Sequence, residues 1–209
     1  MKQVNIFNFS NLTTFARIAL AYLVAYLLLA ANTIFYFYAS LLIIFIIFMD
    51  YIDGFVARKL NSITDFGAVF DIVGDRIVEN IFWLTFAYTR TVPLWVPIVI
   101  ISRGFVTDGF RSYALAKGKT AFGKRTMMRG NIGIFFVSSR FSRALYAILK
   151  AITFSLLALQ LYLIKVSYPN IELFKNFTHS LVLFTVIFCV VRGFFVIYDG
   201  FKIFVDSQR

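Results

Sequence analysis

Residues 33–49 run without a charge and end directly on Asp50, and residues 66–88 are again largely apolar yet carry Asp71, Asp75, Arg76 and Glu79. Stretches of this length and character are the material of membrane helices, where an ionisable group is costly unless it has a task and a partner. The segment from Asp50 to Asp75 nevertheless holds five (Asp50, Asp53, Asp65, Asp71 and Asp75) of the chain's ten acidic residues. The chain must therefore fold so that these carboxylates meet cations or water, not lipid.

Their spacing says how. Asp50 and Asp53 stand three apart, and Gly54, Ala57 and Arg58 follow Asp50 at offsets of four, seven and eight, so all five share one face of a helix. Gly67, Asp71 and Asp75 repeat every four residues and share a face of the next. Asn61-Ser62-Ile63-Thr64 is the polar break between them, with Ser62 and Asp65 spaced as a helix start, and the whole predicts a helical hairpin. At a rise of about 1.5 Å per residue, antiparallel arms bring the four carboxylates to one level, roughly 13–20 Å from residue 62. Like charges so placed repel unless cations sit among them. Oxygen-only ligation favours hard ions such as Mg²⁺, Mn²⁺ or Ca²⁺, and four carboxylates are enough for a pair. Two such ions are a recurrent means of binding a pyrophosphate while a phosphorus–oxygen bond breaks. Gly54 and Ala57 leave room for a flat base or a sugar on the carboxylate face, and small residues also let membrane helices pack closely.

Composition excludes several other classes. Sixty per cent hydrophobic residues, a mean hydropathy of +0.81 and 15% charged residues mark an integral membrane protein. Its one cysteine, Cys189, lies in an apolar run, which rules out an intramolecular disulfide and favours a buried structural thiol. The net charge of +11 has a topological meaning here, because Lys and Arg gather on the cytoplasmic side of membrane proteins and favour anionic lipid, so no nucleic acid is implied.

Taken in order, the chain reads as an all-α integral membrane protein of six transmembrane helices. Residues 4–10 form a short N-terminal interfacial helix, and the spans cover about 12–31, 33–59, 64–89, 93–116, 147–166 and 179–201, with a loop at 167–176. The polar residues Asn5, Asn8, Ser10 and Asn11 are unlike a cleaved leader, so the first span is expected to remain. Asn11, Thr14 and Arg17 recur every three residues near its start. Arg17 could snorkel to the headgroups, the default for an isolated basic residue near a helix end. Arg103, Asp108 and Arg111 fall within the fourth span and ask for partners or an aqueous cavity. Residues 117–150 hold eight basic residues (Lys117, Lys119, Lys124, Arg125, Arg129, Arg140, Arg143, Lys150) and no acidic one. The charge bias predicts that the carboxylate hairpin and both termini lie on the cytoplasmic side of the cytoplasmic membrane, in a single domain spanning 1–209. His179, at a segment end, reads as an interfacial residue. A cation or proton transporter is the rival class, but the chain shows no internal repeat.

The pattern D-x2-D-G-x2-A-R-x8-G-x3-D-x3-D resembles the signature of the CDP-alcohol phosphotransferase family, with Asp50, Asp53, Gly54, Ala57, Arg58, Gly67, Asp71 and Asp75 filling its eight fixed positions. Members of that family transfer a phosphatidyl or related group from a CDP-linked lipid to an alcohol and release CMP. The resemblance implies two divalent cations, Mg²⁺ or Mn²⁺, held by Asp50, Asp53, Asp71 and Asp75, with Asp75 also the general base for the attacking hydroxyl. It implies that Arg58 holds the phosphates of CDP-diacylglycerol, that Gly54, Ala57 and Gly67 line the cytidine pocket, and that the chain forms a homodimer. N-x2-T-x2-R at residues 11–17 resembles the opening of the family's phosphatidylglycerophosphate synthases. So does the run from Arg103 to Gly118, followed by Gly123-Lys124-Arg125-Thr126, although Gly104 stands where Glu is usual and Arg125 separates Lys124 from Thr126. On that resemblance the acceptor is sn-glycerol 3-phosphate, its phosphate met by Arg103, Arg111, Lys124 and Arg125. The departures leave inositol phosphate, inositol or serine open, and the same basic residues would also serve topology and lipid contact.

Overall fold

A computed structural model describes residues 9–59, 65–119, 126–128 and 130–207, without the side chains of 9, 10, 50–59, 65, 66, 68, 131 and 140. Its helices are α1 (Phe9–Leu29), α2 (Thr33–Lys59), α3 (Asp65–Tyr88), α4 (Trp95–Ala116), the short α5 (Asn131–Gly133), α6 (Arg140–Lys165) and α7 (Ile171–Asp206), with a π-helical turn at Ile134–Ser138.

Local chemistry explains most of the boundaries. After α1 the chain turns through Ala31 at φ 55°, and Asn32 then opens α2 by accepting the Ile34 N–H on its Oδ1 at 3.1 Å. The Phe86 carbonyl ends α3 by accepting the Thr91 and Val92 N–H groups and the Thr91 hydroxyl, which holds Arg90 at φ 59°. At the end of α4, Gly118 takes φ 74°. Its N–H reaches the Leu115 carbonyl while that of Lys119 reaches Ala114, a Schellman closure for which glycine costs no Cβ strain. Ser167 (φ 53°) closes α6 with the same pair of bonds, to Ile164 and Leu163.

The chain packs as two compact units. One comprises Met1–Leu94 with Ala151–His179, the other Trp95–Lys150 with Ser180–Arg209, so α6 and α7 contribute to both. In the first, α1 packs against both α2 and α3. Phe82, Trp83 and Phe86 of α3 surround Phe154 of α6 with ring centroids 5.3, 4.7 and 6.0 Å away, and Ser155 of α6 donates to the Ser40 carbonyl of α2 at 3.0 Å. In the second, Ala114, Met127, Met128, Val137, Val196 and Ile203 form a core. Gly193 and Gly200 of α7 lie directly beneath Arg103 and Phe110, where a Cβ would collide, so α4 and α7 approach closely.

α1, α6 and α7 are long and apolar enough to cross a membrane, and Thr33–Met49 of α2 is a shorter apolar helix. Large aliphatic and aromatic residues such as Leu12, Phe15, Ile44, Phe141 and Ile187 face outward, which suits lipid and not water. Among the described residues the structure is thus all-helical, and it is membrane-integral. Two expected boundaries are corrected. α6 begins at Arg140, not near 147, and α7 begins at Ile171, so most of the expected 167–176 loop is helical. Hydropathy marks where a helix is apolar, whereas hydrogen bonding extends it through polar residues, as the Lys175–Glu172 pair at 2.7 Å does in the first turn of α7. Residues 1–8, most of the expected interfacial helix, and the 60–64 turn lie outside the described residues.

Candidate functional site

The polar stripe of α1 turns inward. Asn11, Thr14 and Arg17 are buried, while Leu12 and Phe15 between them are more than three-fifths exposed. What admits the stripe is Gly74 of α3, where a Cβ would stand 2.5 Å from Thr14 Cγ2 and 3.6 Å from Ile18 Cδ1. Without a side chain at 74, α1 comes down onto α3 beside its carboxylates. Arg17 then donates from Nη2 to Asp71 Oδ1 at 2.8 Å and from Nη1 to Asp75 Oδ1 at 3.2 Å.

Exposure across this triad is uneven. The Arg17 side chain is 3% exposed, while Asp71 and Asp75 are 46% and 47% exposed. One guanidinium is sealed behind two carboxylates whose outer sides are open. Asp71 and Asp75 stand on one face of α3 with Gly67, as their four-residue spacing predicts, and Gly67 is buried. One turn on, Arg76 meets the buried Glu79 at 3.6 Å. Asp50, Asp53, Gly54, Ala57 and Arg58 fall on the helical backbone of α2, and their side chains lie outside the described residues. Among the described residues no three carboxylate, imidazole or thiolate groups gather at one point.

The donor set nonetheless suits hard cations, because Asp71 and Asp75 offer only oxygen and have already drawn a cation between them. Arg17 occupies the inner side of the pair as a stand-in for positive charge. The sequence leaves Arg17 between snorkelling and the N-x2-T-x2-R pattern it completes with Asn11 and Thr14; the structure turns it inward.

The other basic candidates belong to the second unit. Arg103 donates from Nη2 to the buried Cys189 Sγ at 2.7 Å, and its stem covers Gly193. Arg111 lies 3.3 Å from Asp108 on the same helix. The charges of α4 therefore have partners. Lys124 and Arg125 lie outside the described residues. Arg192 of α7 was passed over in the sequence reading, although a charge inside an apolar run was signal enough. It donates to the Ser142 carbonyl at 2.7 Å and hydroxyl at 2.9 Å, and lies over the Tyr146 and Phe188 rings at 5.3 and 5.9 Å. A cavity of about 460 Å³ sits beyond the other end of α3, lined by Arg90, Gln160, Lys175 and His179 among others. It lies away from the carboxylates, since the 14 residues from Asp75 to Thr89 span about 21 Å of helix.

Comparison with known proteins agrees with the signature. The CDP-alcohol phosphatidyltransferase family matches residues 7–191. The CDP-diacylglycerol--glycerol-3-phosphate 3-phosphatidyltransferase of Bacillus subtilis (strain 168) is 30% identical over 125 residues, 54% of this chain and 65% of its own length. The protein of the same name from Rickettsia typhi is 26% identical over 132 residues, 63% of this chain and 74% of its own. A cardiolipin synthase (CMP-forming) / mitochondrial hydrolase fusion protein of Schizosaccharomyces pombe is 32% identical over 121 residues, 56% of this chain and 19% of its own. The chain thus spans a little under two thirds of the Bacillus relative and a fifth of the fusion protein.

Proposed function

Because this chain belongs to the CDP-alcohol phosphatidyltransferase family, we propose that it transfers the phosphatidyl group of CDP-diacylglycerol to a small polar alcohol and releases CMP. The acceptor we assign is sn-glycerol 3-phosphate, as the names of the Bacillus and Rickettsia relatives suggest. One observation carries the reading: Asp71 and Asp75, the last two acids of the signature, stand open to one side and converge on one cation.

In this reaction the acceptor's hydroxyl oxygen attacks the lipid-bearing phosphorus, and the bond from that phosphorus to the CMP oxygen breaks. CMP leaves with the electron pair. Asp75 takes the hydroxyl proton, which needs its carboxylate within hydrogen-bond reach of the acceptor. Arg58 holds the donor's phosphates, and Gly54, Ala57 and Gly67 leave space for the cytidine. Asp50, Asp53, Asp71 and Asp75 would hold two divalent cations, Mg²⁺ or Mn²⁺, which supply charge stabilisation on the pyrophosphate. Arg103, Arg111, Lys124 and Arg125 serve the acceptor phosphate, Arg111 by exchanging Asp108 for it. The chain works as one membrane domain over 1–209, with six crossings, as a homodimer. Its site faces the cytoplasm of the cytoplasmic membrane, the side that the basic 117–150 block favours.

The test is CMP release from CDP-diacylglycerol by the solubilised protein, with Mg²⁺ or Mn²⁺ and a panel of acceptors. The panel holds glycerol 3-phosphate, inositol phosphate, inositol, serine and, because of the fusion protein's name, phosphatidylglycerol. Metal-dependent CMP release with glycerol 3-phosphate alone is the expected result. Preference for another acceptor overturns that assignment, and no CMP release with any acceptor overturns the reaction.

A further inference from the structure

We propose that Arg17 is the carboxylate pair's built-in counter-ion, which holds Asp71 and Asp75 in the metal-free protein and competes with divalent cations for them. This rests on the metal reading above, but its evidence is the arrangement around Arg17. Three observations combine. The guanidinium spans both acids, at 2.8 and 3.2 Å, so the same positive charge contacts both carboxylates. It reaches them from the sealed side, with its side chain 3% exposed, while nearly half of each aspartate is open on another side from which an ion could enter. It is also anchored, because Thr14, one turn before it on α1, and Ile18, the residue after it, close over Gly74 of α3.

A side chain so held cannot swing into solvent when a cation arrives. The ion therefore meets a pair of carboxylates that remains partly neutralised, next to a like charge that stays near. Two consequences follow. Without metal, Arg17 relieves the repulsion between Asp71 and Asp75 and ties α1 to α3 at the site. With metal, it weakens binding, which keeps the ions exchangeable in place of locked. Arg17 is thus a positioning residue whose removal should tighten metal binding while loosening the metal-free fold. A purely structural arginine would do only the second.

The experiment uses the purified full chain in detergent, without donor or acceptor. Mn²⁺ binding is followed by the electron paramagnetic resonance of free Mn²⁺, and thermal midpoints are recorded with and without saturating Mn²⁺. Wild type should bind Mn²⁺ in a manner that Asp71→Asn removes. Arg17→Gln should bind it at least about tenfold more tightly, within the usual range of coupling between two sites. Its midpoint should fall below wild type without metal and recover with Mn²⁺. Arg17→Lys keeps the charge but loses the fork that spans two carboxylates, so it should tighten binding by a smaller factor, and it carries the test if Arg17→Gln does not fold. Unchanged or weaker Mn²⁺ binding in a folded Arg17 variant overturns the proposal while leaving the metal reading intact. No Asp71-dependent Mn²⁺ binding in any protein overturns both.

Discussion

Gly74 makes the contact between α1 and α3 a quantitative test. An alanine there would place its Cβ 2.5 Å from Thr14 Cγ2, well inside the separation that real carbon atoms keep, and 3.6 Å from Ile18 Cδ1. Thr14 is β-branched and buried, so its methyl has no open side to rotate into. Relief requires α1 and α3 to part by about 1 Å, the gap between 2.5 Å and the 3.5–4.0 Å at which carbon atoms settle. Overpacking of this kind costs about 1–3 kcal/mol. In a chain of this length that is roughly 2–12 °C in the thermal midpoint, at about 2–4 °C per kcal/mol. The same displacement would lengthen the Arg17 contacts from 2.8 and 3.2 Å to near 4 Å, where they no longer count as hydrogen bonds. Gly74→Ala should therefore lower both the midpoint and the CMP-release rate. Thr14→Ser in the same background removes only the colliding methyl and should restore most of each. Scanning fluorimetry and the release assay measure the two effects on wild type, Gly74→Ala, Thr14→Ser and the double variant. A neutral Gly74→Ala, or a double variant no better than Gly74→Ala alone, would refute the argument that this glycine sets the helix separation.

Asp71→Asn should reduce turnover below about a tenth of wild type, a barrier increase above 1.4 kcal/mol, with the helical content by circular dichroism retained. More activity than that removes Asp71 from the metal set. Asp75→Asn should lower kcat more than donor affinity, since the base matters when the hydroxyl loses its proton; equal losses would make Asp75 chiefly a ligand. Arg111→Ala should raise the KM for glycerol 3-phosphate about tenfold or more and leave that for CDP-diacylglycerol near its starting value, the scale of one lost charge-assisted contact of about 1.5–3 kcal/mol. Parallel weakening of both substrates would instead indicate that loss of the Asp108 pair disturbs α4.

What the sequence determined by itself was whatever depends on neighbours along the chain. The apolar run from residue 33 and the polar break at 61–64 placed α2 at Thr33–Lys59 and α3 at Asp65–Tyr88 to within a residue. A helix has a fixed period, so Gly67, Asp71 and Asp75 had to share a face before any packing was known. The eight signature positions likewise carried the family, because their spacing is local. The sequence does not decide the direction of Arg17, and necessarily so. Its partners are 54 and 58 residues away, and whether a basic side chain near a helix end rises to the headgroups or turns inward depends on what the neighbouring helix presents. Arg103 is a parallel case, with its Cys189 contact 86 residues distant. Only tertiary structure settled these, because burying a guanidinium is unfavourable until packing brings an acceptor within about 3 Å, and no local pattern records which helix will do so.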